Sequence, residues 1–202
     1  VAPLLSGGCS ESHADASAPG TAGGKADDGD EFVCIGWGEP LQLGKVEDHR
    51  ASGLTGLAVS WQRPGVVWAV NDATHDDSRR LFAFDRNGSE LETYPITDGP
   101  DVKWEDLATD GEFIYLVAPT ATGPVIARFE EPNPFVAAEV DGLELFELQE
   151  PSGDPIESVF VDPIGQALFA VTRSTDVTRV LSTPLPLRPG ASFEPVVTSE
   201  EL

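Results

Sequence analysis

The sequence predicts an all-β protein assembled from about three copies of one four-stranded antiparallel unit. Three observations predict it. A paired-strand pattern occurs three times, as TGLAVSWQRPGVVWAV at 55–70, EDLATDGEFIYLV at 105–117 and ESVFVDPIGQALFAVT at 157–172. The second strand of each copy carries an aromatic at the matching place, Trp68, Tyr115 and Phe169, which stand 47 and 54 residues apart. Helix-period patterning is absent, and 17 Pro with 20 Gly among 202 residues would interrupt any long helix. Short strands recurring about every fifty residues are the mark of a β-propeller blade.

Residues 1–9 end in PLLSGGC. This resembles the end of a bacterial lipoprotein signal, where Leu and small residues lead to a Cys that becomes the lipidated N-terminus. The resemblance implies lipidation of Cys9; a disulfide to Cys34, the second of only two cysteines, is the competing reading. Residues 10–31 are rich in Ala, Gly, Ser and Asp without apolar periodicity, which predicts a flexible acidic linker. Folded sequence is expected from about Phe32 onward, beginning with a strand in EFVCIGWGEPLQLG and making 32–202 the partial propeller domain.

The first blade spans about 54–96, with strands GLAVS, GVVWAV, RLFAFD and ELETYPI. Its turns are QRPG and the hairpin pair Asn87-Gly88. The second spans about 104–147, with DLATD, FIYLVA, PVIARF and LELFEL, turning first at Asp110-Gly111. The third spans about 156–197, with SVFVD, ALFAVT, VTRVLST and SFEPVV, turning first at DPIGQ. TSEEL at 198–202 is expected to open a fourth unit. Propellers close with four to eight blades, and three leave exposed edges. The favoured expectation is a C-terminally truncated propeller; closure by oligomerisation and a curved open stack are the alternatives.

The balance of 12 basic against 35 acidic residues gives a net charge of −23. That field repels a phosphate backbone, so nucleic acid is excluded as a partner. It equally disfavours an anionic lipid surface, leaving membrane contact only through a lipid anchor at Cys9. No stretch reaches the roughly 18 apolar residues of a membrane span. The expected location is extracytoplasmic, as an envelope lipoprotein or a secreted protein.

The ordered series TGLAVSWQRPGVVWAVND, RLFAFDRNGSELETYPI, WEDLA, ESVFVDPIGQALFAVT and PLPLRPGA resembles an uncharacterised family of secreted or lipoprotein bacterial β-propellers, over about 51–202. More distantly, the units resemble calcium-dependent six-bladed lactonases and gluconolactonase-type enzymes. Those enzymes hold one cation with Glu, Asn and Asp at the mouths of their inner strands. The first strand of a propeller blade lies next to the axis, so Thr55, Glu105 and Glu157 are expected at the channel mouth. Asp106, Asp154 and the pair Asn71-Asp72 lie nearby in the pattern. The resemblance makes Glu105, Asp106, Glu157, Asn71 and Asp72 the candidate metal ligands. Ca²⁺, which takes six to eight oxygens, would suit them. Such a cation would polarise a carbonyl or acidify a bound water, with His75 as a general base.

Plainer roles exist for the same residues. Glu105-Asp106 would cap a strand start, Asn71-Asp72 would close a turn, and His75 would be a solvated loop residue. The chain also departs from its relatives. Gly53 stands where they carry an acid, Lys103 replaces an Asp, and 118–123 lacks an acidic block. Neither GxSxG nor a Gly-rich loop entering a helix occurs. The expectation is a non-enzymatic domain that binds an unidentified ligand or protein at the propeller face. A calcium-dependent lactonase or esterase is the alternative, and an incomplete fragment without independent function the third reading.

Overall fold

The computed structural model describes residues 41–73, 79–136, 139–140, 142–150, 152–174 and 176–198. The chain divides into two units, Val1–Gln42 and Leu43–Leu202. The expected strand after Phe32, the linker, His75 and both cysteines lie outside the described residues.

Unit Leu43–Leu202 contains three four-stranded blades. Blade 1 comprises β1 (Leu54–Val59), β2 (Val66–Asn71), β3 (Arg80–Asp85) and β4 (Glu90–Pro95). Blade 2 comprises β5 (Asp106–Thr109), β6 (Phe113–Thr120), β7 (Gly123–Glu130) and β8 (Glu144–Glu147). Blade 3 comprises β9 (Ile156–Asp162), β10 (Ala167–Thr172), β11 (Arg179–Pro184) and β12 (Glu194–Thr198). Each is an antiparallel meander paired in chain order. The all-β propeller architecture and the three-blade count therefore stand. One boundary moves: Thr198 pairs with Arg179 and closes blade 3 rather than opening a fourth unit.

An aspartate closes a hairpin turn in every blade. Asp85 Oδ1 accepts the N–H groups of Asn87 and Ser89, at 2.8 and 2.9 Å. Asp110 Oδ1 accepts those of Glu112 and Phe113, at 2.9 and 2.7 Å. Asp162 Oδ1 accepts those of Ile164 and Gly165, at 2.9 and 3.0 Å. A short acceptor side chain bonding its own backbone two to four residues on is what fixes such turns. Gly111 then adopts φ 92°, open to glycine without strain.

Cross-strand register sorts the side chains onto two faces of each blade. Trp68 lies opposite Ala58 and Ala83, Tyr115 opposite Ala108 and Arg128, and Phe169 opposite Phe160 and Ser182. In blades 1 and 2 the aromatic-bearing face points toward the following blade, and we call this side of each blade its forward face. Trp68, Val66, Val70 and Leu81 pack against Leu107, Leu116 and Ala127, which line the back face of blade 2. Tyr115, Val117, Ile126 and Phe146 pack in turn against Val159, Leu168, Ala170 and Leu181 on the back face of blade 3. The inner strands touch in series, β1 against β5 and β5 against β9. Gly56 permits the first contact: a Cβ there would stand 2.7 Å from the Leu107 nitrogen.

The back face of blade 1 is covered by an N-terminal strap. Val46 and Ala51, with Leu54 at the start of β1, pack on Ala69, Phe82 and Phe84. Arg50 pins the strap by donating to Asp48 at 3.0 Å and to Glu90 at 2.5 Å. Glu131 joins blades 1 and 2 at the end away from the strand starts. Its side chain is fully buried and 3.1 Å from Arg63, and it accepts hydroxyl donors from Ser60 and Thr109.

Candidate functional site

The residues singled out from the sequence gather where the inner strands begin, but most are already engaged. Thr55 Oγ1 donates to the Trp104 carbonyl at 2.9 Å, tying blade 1 to the start of blade 2. Asp106 repeats the device one blade on. Its Oδ2 accepts the Ser158 hydroxyl at 2.6 Å and the Val159 N–H at 2.8 Å, both on β9. Its Oδ1 accepts the Leu107 N–H at 2.8 Å. Two of the three unit-opening regions thus supply a blade-to-blade tie, and their polar atoms are aimed at protein donors and acceptors.

Asn71 is buried at the end of β2, and its Oδ1 accepts the Arg80 N–H at 2.9 Å. Thr172 occupies the same place in blade 3, accepting the Arg179 N–H at 3.1 Å. Both close the loop between second and third strands. The neighbouring residues are charged. Asp72 stands 3.9 Å from the Lys103 ammonium, and Glu157 lies 3.2 Å from the Arg173 guanidinium. Gly53 abuts Asp72: it adopts φ 66°, and a Cβ there would stand 2.4 Å from Asp72 Oδ1, so a side chain at this position would be strained and would displace the Asp72 carboxylate.

Glu105 is the remaining member. Burial raises its pKa above the ordinary carboxylate value, and the Glu157 charge adds to the effect. Lys103 and Arg173 pull in the other direction. The mouth is therefore a mixed field in which Asp72, Glu105 and Glu157 are interleaved with two cations.

The cation implied by the lactonase resemblance does not fit this donor set. Asp106 directs both oxygens at protein donors, Asn71 directs its amide oxygen at Arg80, and Lys103 and Arg173 bring like charge to the mouth. Among the described residues no group of three or more His, Cys, Asp or Glu side chains is arranged to hold a metal ion. The five proposed ligands thus divide into structural ties, Asn71 and Asp106, and an acidic-basic cluster, Asp72, Glu105 and Glu157.

Arg173 was not singled out from the sequence. The aligned repeats contain the signal, because Trp68 and Phe169 each precede by four residues the position held by Asp72 and Arg173. Asp154, also on this end, is 2.5 Å from Arg179. A cleft of about 220 Å³ opens beside it, lined by Thr120, Thr122, Glu150, Asp154 and Pro155 among others. A second cleft of about 630 Å³ shares Thr122 and Glu150 and continues to Ser192, Phe193 and Pro195.

No family model matches the chain. No curated protein matches it either. Among solved structures, a nidogen/laminin complex is similar over 72% of this chain and 48% of its own, at 14% identity and a TM-score of 0.48. A provisional 6-phosphogluconolactonase from Bacteroides uniformis is similar over 70% of this chain and 43% of its own, at 22% identity and a TM-score of 0.45. The chain spans less than half the length of either structure.

Proposed function

We propose that this chain is a non-enzymatic β-propeller binding domain, held outside the cytoplasm by lipidation at Cys9 or by secretion, that takes a ligand or protein partner at the strand-start end. One observation carries the reading. Two of the groups that would form a catalytic cation site, Asn71 and Asp106, are committed to closing a loop and joining blades, while Lys103 and Arg173, 53% and 71% exposed, pair with Asp72 and Glu157 at the same end. A mixed-charge rim next to two connected polar clefts suits a partner offering both acceptors and donors, such as a polar protein segment. The acidic Ala/Gly/Ser segment 10–31 supports a tether between anchor and domain.

A hydrolase is the second reading: Glu105 favours acid–base chemistry, although the donor set does not fit the calcium that the resemblance implies. A half-buried carboxyl with a raised pKa is the type of group that serves general acid–base catalysis. Thermal unfolding in Ca²⁺ and in EDTA, paired with hydrolysis of aryl esters and lactones, separates the two. The binding domain is expected to melt at one temperature in both buffers and to leave the substrates intact. A preformed calcium site at a hundredfold excess over its Kd would add about 2.7 kcal/mol of stability, a shift that would overturn the reading.

A further inference from the structure

We infer that the turn end of the three blades, opposite the strand starts, is a second docking surface, fitted to a protein segment that carries Lys or Arg beside aliphatic side chains. Three large apolar side chains stand exposed there. Trp61 lies on the turn after β1, Phe135 between β7 and β8, and Ile164 on the turn after β9, at 61%, 69% and 94%. Single exposed apolar residues are ordinary on a protein surface. These three are set around one groove. A cleft of about 640 Å³ is lined by Arg63 and Asn133, and a second of about 280 Å³ by Glu112, Pro163 and Gln166. The two share Phe113 and Arg128, so the groove runs from the inner turn of blade 1, past blade 2, to the inner turn of blade 3.

Each apolar side chain is tied to that groove by a short link. Trp61 lies over the inner turn of blade 2: a Cβ at Gly111 would stand 3.2 Å from Trp61 Cβ, and the next residue is the cleft-lining Glu112. Phe135 donates its N–H to Asn133 Oδ1 at 3.1 Å. Ile164 follows Pro163 and donates its N–H to Asp162 Oδ1 at 2.9 Å. Backbone fixed in advance lowers the ordering cost of binding.

Charge selects the partner. The two guanidiniums of the groove are already neutralised. Arg63 pairs with Glu131 at 3.1 Å. Arg128 donates from Nε to Glu144 at 2.8 Å and lies 4.8 and 5.0 Å from the centres of the Phe113 and Phe146 rings. Asp110 spends its oxygens on the Glu112 and Phe113 N–H groups and the Tyr115 hydroxyl. Three exposed lining carboxylates, those of Glu112, Glu130 and Glu139, have no hydrogen-bond or ion-pair partner among the described residues. The residual charge is negative, and it complements ammonium or guanidinium groups spaced between apolar anchors. A second copy of this chain, at −23, would be repelled, as would an anionic lipid surface.

Fluorescence anisotropy of labelled nonapeptides added to the full 202-residue chain at physiological ionic strength tests this. A probe of three Gly-Lys-Leu repeats is expected to bind. Its Gly-Glu-Leu and Gly-Lys-Ser counterparts are expected to bind at least about tenfold more weakly. Trp61→Ser, Ile164→Ser, and the pair Glu112→Gln with Glu130→Gln are each expected to weaken the Gly-Lys-Leu probe by about tenfold with strand circular dichroism unchanged. Ile164→Ser, at the most exposed of the three sites, supplies the apolar test should Trp61→Ser lose its strand signal. Asp98→Asn with Asp101→Asn removes the same charge from the exposed connection between β4 and β5, at the strand-start end, and is expected to keep wild-type affinity. No binding of the Gly-Lys-Leu probe, equal binding of the Gly-Lys-Ser probe, or wild-type affinity in any folded turn-end variant would overturn the inference. An equal loss in the Asp98 and Asp101 variant would overturn it too, by reducing the attraction to the net charge of the chain.

Discussion

Replacing Glu131 with Ala is expected to lower the unfolding free energy by about 3–5 kcal/mol, the range for breaking a buried ion pair by removing one partner. The carboxylate is fully buried against Arg63, which is 22% exposed. Part of the loss is recovered as the guanidinium turns to water, which favours the lower end. The Ser60 and Thr109 hydroxyls also lose their acceptor at the blade 1–blade 2 seam. Glu131→Gln keeps one acceptor oxygen and should lose less. Glu130, the exposed neighbour at the end of β7, is the control: its Ala variant should stay within about 0.5 kcal/mol of wild type. Urea unfolding of the three variants measures all of this. Equal effects at 130 and 131 would contradict the assignment.

Trp68→Ala is expected to cost about 3–5 kcal/mol, as large aromatic truncations do in packed cores. The ring is fully buried on the forward face of blade 1, tilted against Tyr94 at 6.2 Å. Trp68→Phe should cost much less. It keeps most of the packing and removes an indole N–H that is buried without a hydrogen-bond partner among the described residues. The same truncation at Phe169 should cost less, about 1–2 kcal/mol, because that ring is only half-buried and stacks on Phe160. An equal cost at the two positions would contradict the difference in their burial.

That contrast shows what the sequence could and could not disclose. Alternation and turn residues, which depend on neighbours a few positions apart, together with the aromatic recurring about every fifty residues, were enough to set out twelve strands in three blades. The exposure of Phe160 and the half-burial of Phe169 were not legible, because burial there depends on packing between blades rather than on the local pattern. Asp106 was legible as a polar residue at a strand start. Its partner Ser158 lies 52 residues away on the next blade, so its role emerged only from the packing. Glu131 carries no local signal: in the run EEPNP it reads as a solvated loop acid, and only the fold brings Ser60, Arg63 and Thr109 around it.

The candidate site divides in the same way. The five residues chosen as metal ligands do lie toward the strand-start end, as the repeat implied. Their partners decide their chemistry, and those partners are contributed by other strands and loops. Arg80 faces Asn71, β9 faces Asp106, Lys103 faces Asp72, and Arg173 faces Glu157.

The central claim is that Asp106 joins blades rather than holding a cation. A double-mutant cycle of Asp106→Ala and Ser158→Ala, run in Ca²⁺ and again in EDTA, tests it most directly. Asp106→Ala is expected to cost about 1.5–3 kcal/mol, with a coupling to Ser158 of at least about 0.5 kcal/mol, and both values should be the same in the two buffers. A wild type that loses stability in EDTA, together with an Asp106→Ala cost that appears only in Ca²⁺, would contradict the account.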